Sequence, residues 1–320
     1  MRVSNYLNLC LYIFLMITII GLLSWGKPSK IIGLFFVSGL AVGSLYALGG
    51  IGMVVLYRAT GVLNFSNGAI GAAGVMTAWQ LGQWGLWQPF TWFSALLVSL
   101  MLSLGYGRYI APSLSWREPV VKAVATLGFA LIILGAISYI WIDDPRNFSL
   151  PSDKVGIYIL GLRVTLTRII VFIVTILIVV FINIYLMKTN VGLHMRALAN
   201  NRDISALIGI PIIKTETIAW GISGVLAGFT GLMFGDLIRL EPNVITFMVI
   251  PSVAAAICGR LENLYLVLVG GLSMGVIESL LTLSPILKSV RPIAPFVIAA
   301  IVLLFYQRGK LLSFAGSDNG

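Results

Sequence analysis

Runs of about 20 apolar residues recur along this chain between short polar connections, a length that carries an α-helix across the hydrocarbon of a bilayer. The pattern predicts about ten apolar segments, at 8–25, 31–57, 67–86, 90–111, 120–142, 166–187, 215–238, 243–258, 262–283 and 291–306. A transmembrane barrel would instead show short strands of alternating polarity, and the chain has no such alternation. The expected fold is an all-α integral membrane protein, a polytopic bundle of about 8–10 transmembrane helices forming one domain over 1–320. The eighth segment is short and holds Pro251, which predicts a broken or incompletely spanning helix shielded by its neighbours. The first segment follows Arg2 in the manner of a signal peptide. Ser24-Trp25-Gly26-Lys27-Pro28 lacks a small-x-small cleavage pattern, so an uncleaved extra helix over 8–25 is expected.

Composition closes off other classes. The chain is 59% hydrophobic and 10% charged, against roughly 25% charged residues in soluble domains, so a water-soluble globule is excluded. The net charge of +10 is spread between the spans rather than gathered in one patch. That is the positive-inside distribution and argues against nucleic-acid binding. Connections carrying Arg2, Arg58, Arg108, Arg117, Lys122, the 188–214 loop, Arg260, Arg308 and Lys310 form the richer set. Both termini and the 188–214 loop are therefore predicted cytosolic, with Lys27 and Lys30 counting against this assignment. The longest connection on the other side, Asp143 to Thr165, mixes acidic and basic residues and reads as a small surface for an external partner. Cys10 and Cys258 lie in separate apolar stretches and read as packing residues, with no metal site indicated.

The polar interruption Lys188 to Lys214 holds the sequence's single His and several basic residues. Asp203 is placed to cap a helix starting at Ile204, and Gly209 with Pro211 stops it after barely two turns. So short a helix is marginal alone and persists only if Ile204, Leu207 and Ile208 pack on something: a partner's groove, the protein's own face, or lipid headgroups. His194 stands alone and reads as solvated. Gly21-x-x-x-x-Gly26-Lys27 begins like a phosphate-binding loop but fails at Pro28, where Ser or Thr would meet magnesium.

Within the spans, Gly221, Gly224, Gly228, Gly231 and Gly235 recur every three or four residues on one helix face, where a second backbone can approach closely. Tight packing and a face that slides are the two readings. Gly39 with Gly43, and Gly271 with Gly275, repeat the spacing. Glu278 interrupts a nearly carboxylate-free interior and reads either as a pathway group or as a carboxylate paired with a nearby base. Asn64, in Gly61-Val62-Leu63-Asn64-Phe65-Ser66-Asn67-Gly68, fits a tight polar turn and, alternatively, a substrate-pathway position.

Three stretches, Gly39 to Gly74, Met195 to Gly235 and Glu241 to Glu278, resemble the permease subunits of branched-chain amino acid type ABC importers. The resemblance runs in order over roughly residues 31–308. It implies an inner-membrane half-channel of a prokaryote, without its own ATPase site or cofactor, since ATP is bound by partner subunits. The implied partners are cytosolic ATPase subunits, a second permease, an extracytoplasmic solute-binding protein and a small polar solute, an amino acid above all. The resemblance makes Arg196, Ala199, Arg202, Asp203, Ala206, Leu207 and Gly209 the ATPase-coupling element. The sequence departs from the family at Ala69, where an acidic residue is frequent, at Gly259-Arg260, where paired glycines are usual, and at Pro251. These departures bear on the solute. The expected mechanism is alternating access without a chemical step. An ion-coupled secondary transporter, resting on Glu278 and the broken 243–258 segment, and a membrane scaffold that carries no solute are the rival readings.

Overall fold

The computed structural model describes residues 28–141, 146–159, 162–238, 240–284 and 287–302, with single positions at 18, 21 and 304. The expected first helix, Cys10 and the tail beyond 304 lie outside the described residues. Among those described, six helices are long and apolar enough to cross a membrane. They are α1 (Ser29–Thr60), α3 with its extension (Gln88–Leu114), α4 (Pro119–Trp141), α6 (Leu166–Lys188), α9 (Ile212–Leu237) and α12 (Leu264–Leu281). All six coincide with predicted segments. The segments 67–86 and 243–258 are helical but shorter than a span: α2 covers Asn67–Gln83, and the second divides into α10 (Pro242–Phe247) and α11 (Val249–Cys258). The last predicted segment begins with a 3₁₀ stretch, Leu287–Ile293, and continues as helix over 294–302.

Depth in the bundle separates the spans. The apolar window of α9 is 78% buried while that of α4 is 22% buried, so α9 is the central helix and α4 an outer one facing lipid or a partner. What lets α9 sit at the centre is its glycine face, which α2 and α3 divide between them. Cβ atoms at Gly224 and Gly228 would strike Ser99 and Ser103 of α3, and Gly231 meets the backbone of Gly71 in α2. Gly235 lies against Val75, whereas Gly221 meets only the side chains of Leu100 and Leu104, at 3.4 Å or more. The other small-residue pairs prove to be two halves of one seam. Gly39 and Gly43 of α1 face Gly271 and Gly275 of α12, and a Cβ on Gly43 would lie 2.6 Å from the carbonyl oxygen of Gly271.

Two interruptions have local causes. The break between α10 and α11 falls at Met248, three residues before the proline. Pro251 occupies the first turn of α11, where a missing N–H costs nothing, but it leaves the carbonyl of Phe247 without its helical donor. In α3, the Tyr106–Ile110 turn is a π-helix; Pro112 follows and cannot donate to the carbonyl of Arg108. The Asp143–Thr165 connection contains a turn of helix, α5 (Pro151–Lys154), and an antiparallel hairpin, β1 (Gly156–Ile159) with β2 (Leu162–Thr165). The sequence pattern did not anticipate the hairpin. Arg146 ties the connection down: its backbone pairs with Leu240 and its guanidinium lies 4.7 Å over the Trp79 ring.

Candidate functional site

The 188–214 insert folds as two helices, α7 (Asn190–Asn200) and α8 (Arg202–Leu207). Thr189 caps α7, accepting a bond from Gly192 N, and Met195 and Leu198 turn inward, so this helix is anchored to the bundle. Arg196 and Ala199 lie on α7, Arg202, Asp203 and Ala206 on α8. The cap of α8 differs from expectation. Asn201 Oδ1 accepts from Ile204 N at 3.0 Å, and the helix starts at Arg202, so Asp203 is a first-turn residue rather than the cap. An Asn at this position satisfies the same orphan donor, and Asp203 still favours the positive end of the helix. The stop is as predicted: Gly209 adopts φ +82°, and the amides of Gly209 and Ile210 bond back to Ala206 and Ser205.

What holds α8 in place is polar. Ser205 is buried, and Arg202 forms an ion pair with Glu216 of α9 at 2.5 Å while its guanidinium lies 5.6 Å from the centre of the Trp116 ring. Glu216 is itself buried. The apolar face is left open: Leu207 is 86% exposed, Ile208 70% and Ile204 57%. Three large aliphatic side chains on six to seven residues of helix, turned away from the chain that carries them, make a small hydrophobic knob fixed to α9 by a charge pair.

Glu278, in the opposite half of the bundle, is paired. Its Oε2 accepts from the hydroxyl of fully buried Tyr46 at 2.7 Å and its Oε1 from Arg291 Nε at 2.8 Å. Arg291 comes from the 3₁₀ stretch, so the carboxylate joins α1, α12 and the segment after it. Glu278 thus has the nearby base that one of its two readings called for. Asn64 is buried in an Asx turn, its Oδ1 accepting from the amide and hydroxyl of Ser66, while Phe65 N donates to Thr126 of α4. Asn64 and Glu278 are not brought together.

The turn containing Asn64 does more than connect. Asn67, the first residue of α2, lies 3.8 Å from where a Cβ on Gly49 would stand, well inside α1. The extended residues after Gly61 therefore lead back into the bundle, and α2 starts within it. The α10–α11 break adjoins that start, because the backbone of Thr246 abuts Gly68 and the hydroxyl of Ser252 abuts Gly49. Ser223 Oγ reaches Asn67 Oδ1 at 3.4 Å. Two discontinuous helices thus meet among Asn67, Ser223, Thr246 and Ser252, the arrangement that places polar groups at depth in membrane transporters. None of these four was singled out from sequence; the signal available was the Asn-Gly turn and the Pro251 break.

A bundle of membrane-spanning helices with broken helices at its centre and an exposed amphipathic element at one end is the anatomy of a transport subunit. The family described as branched-chain amino acid transport system / permease component matches residues 35–306, and the chain belongs to it. It is similar to the high-affinity branched-chain amino acid transport system permease protein BraD of Pseudomonas aeruginosa, 24% identical over 86% of this chain and 94% of that one. LivH of Escherichia coli is 22% identical over 86% and 93%. The probable branched-chain amino acid transport permease LivH of Methanocaldococcus jannaschii is 28% identical over 75% and 78%.

Proposed function

We propose that this chain is one half of the membrane channel of an ATP-driven importer for branched-chain or other small amino acids, with α8 as the element through which separate ATPase subunits drive it. The observation that carries this reading is the uncovered face of α8, where Ile204, Leu207 and Ile208 are exposed while Arg202 binds the helix to Glu216. A surface helix with no partner in its own chain has no reason to hold an apolar face to water. A groove on an ATPase subunit covers it, and movement of that groove passes through the Arg202–Glu216 pair to α9, the central helix. The chain contributes no chemical step, and ATP is bound by the partners.

A second permease packs against the outer helices, and an extracytoplasmic binding protein delivers the solute to the end opposite α8. Residues 1–320 then form one permease domain of a prokaryotic plasma membrane, with 188–214 and both termini on the cytosolic side. Alternating access moves the discontinuous helices around Asn67 and Met248. Asn64 serves as the turn that starts α2, and Glu278 closes the half of the bundle that faces the binding protein.

Replacing Asp203 and Leu207 together with Lys tests the coupling role. Solute uptake by the assembled transporter is expected to be lost while the protein still runs as a monodisperse species and still recovers the second permease in a pull-down. Unchanged uptake would remove α8 from the mechanism.

A further inference from the structure

A cavity of about 810 Å³ opens between the extension of α3, Arg202 of α8 and the start of α9. Its walls carry the cationic side chains of Arg108, Arg202 and Lys214 together with apolar Pro112, Trp116 and Ile213. Arg202 is neutralised by Glu216, but among the described residues neither Arg108 nor Lys214 forms an ion pair, so the cleft keeps about two uncompensated positive charges. Glu118 is exposed two positions beyond Trp116 and does not line it.

The height of the cleft is fixed independently. Trp84 and Trp87 are strongly exposed at one end of α3, and Tyr109 and Trp116 at the other. From Trp87 to Tyr109 the helix rises about 33 Å, close to the ~30 Å hydrocarbon thickness. Exposed aromatic rings at both ends of a span mark the two interfaces of a bilayer. Arg108, beside Tyr109, is then at headgroup level, and Ile218, which lines the cleft one turn deeper along α9 than Lys214, lies where acyl chains begin.

We propose that this cleft holds the phosphate headgroup of an anionic phospholipid from the adjoining leaflet, bound by Arg108 and Lys214 beneath the Trp116 ring, with its glycerol and upper acyl chain against Ile218. Basic pockets between helices at a membrane surface recognise such headgroups. The bound lipid abuts Arg202, the same side chain that ties α8 to α9, so an occupied cleft holds α8 in position. The site depends on neither the identity of the solute nor the presence of ATPase subunits.

The test is native mass spectrometry of the full chain in mild detergent, titrated with phosphatidylglycerol or phosphatidylcholine. Phosphatidylglycerol is expected to be retained preferentially, and Arg108→Gln with Lys214→Gln to weaken that retention about 30-fold. The charge-preserving pair Arg108→Lys with Lys214→Arg should keep it. Should the double Gln variant fail to fold, Lys214→Gln alone, at an exposed position, should weaken retention about fivefold. Equal retention of the two lipids, or unchanged retention in the Gln variants, would overturn the proposal. So would inorganic phosphate binding as tightly as the lipid, which would make the cleft a free-phosphate site. Complete displacement of the lipid by added ATPase subunits would overturn it too, by making the cleft a protein–protein surface.

Discussion

Two buried carboxylates, Glu216 and Glu278, each pair with an arginine, yet they serve opposite halves of the molecule differently. Glu278 has two partners, Tyr46 and Arg291, and together they join three separate segments in a half that the Asp143–Thr165 connection also covers. Glu216 has one arginine partner, and beside that pair lie an open cleft and a short helix with its apolar side chains exposed. The carboxylate of Glu278 is satisfied from within the chain. Around Glu216, the apolar side chains of α8 are exposed and Arg108 and Lys214 form no ion pair among the described residues, and such a surface is completed by something else. The same residue chemistry therefore acts as a closure in one place and as a mount in the other.

This contrast can be broken by substitution. The largest effect is expected from Gly275→Leu, which forces a side chain into the backbone of α1 at the seam supporting the Glu278 half. Overpacking there should cost more than about 3 kcal/mol, seen as loss of monodisperse protein in fluorescence-detected size exclusion. Gly221→Leu, facing only two flexible leucines, should remain monodisperse.

Glu216→Ala comes next, at about 3–5 kcal/mol, because it strands Arg202, whose side chain is only 19% exposed. Glu278→Ala should cost less: it leaves the buried Tyr46 hydroxyl without its acceptor, but Arg291 is 42% exposed and stays solvated, so about 1–3 kcal/mol is expected. A thermal unfolding midpoint in detergent should fall clearly in the first variant and less in the second. Equal losses at the two glutamates would remove the distinction between closure and mount.

The smallest effect should come from the cap of α8. Asn201→Ala should cost about 1 kcal/mol, read as faster amide exchange at Ile204, and Asp203→Ala should cost less. The reverse order would restore Asp203 as the cap.

Much of this was legible along the chain. Six apolar segments became spanning helices because a run of that length admits almost no other structure in lipid. The stop at Gly209 was legible because a left-handed residue ahead of a proline leaves few alternatives. The cap was misassigned because Asn201 and Asp203 both carry the acceptor a cap requires, and only the backbone turn decides which is used. Glu216 went unremarked because its segment begins near the polar insert, so its burial comes from α8 and α3 folding over it. The segment 67–86 looked like a span because hydropathy counts residues and not where their helix starts, whereas the break in 243–258 was legible from Pro251.

What the sequence determined by itself is the medium, the class of architecture and the position of the exposed insert, since these follow from length and polarity summed over windows. Tertiary structure alone decided which glycines face which helix, which arginine each glutamate finds, and that α2 begins inside the bundle. Those outcomes depend on the close approach of segments far apart in sequence. In lipid that approach is governed by shape and hydrogen bonding rather than by hydrophobicity, which is nearly the same on every face.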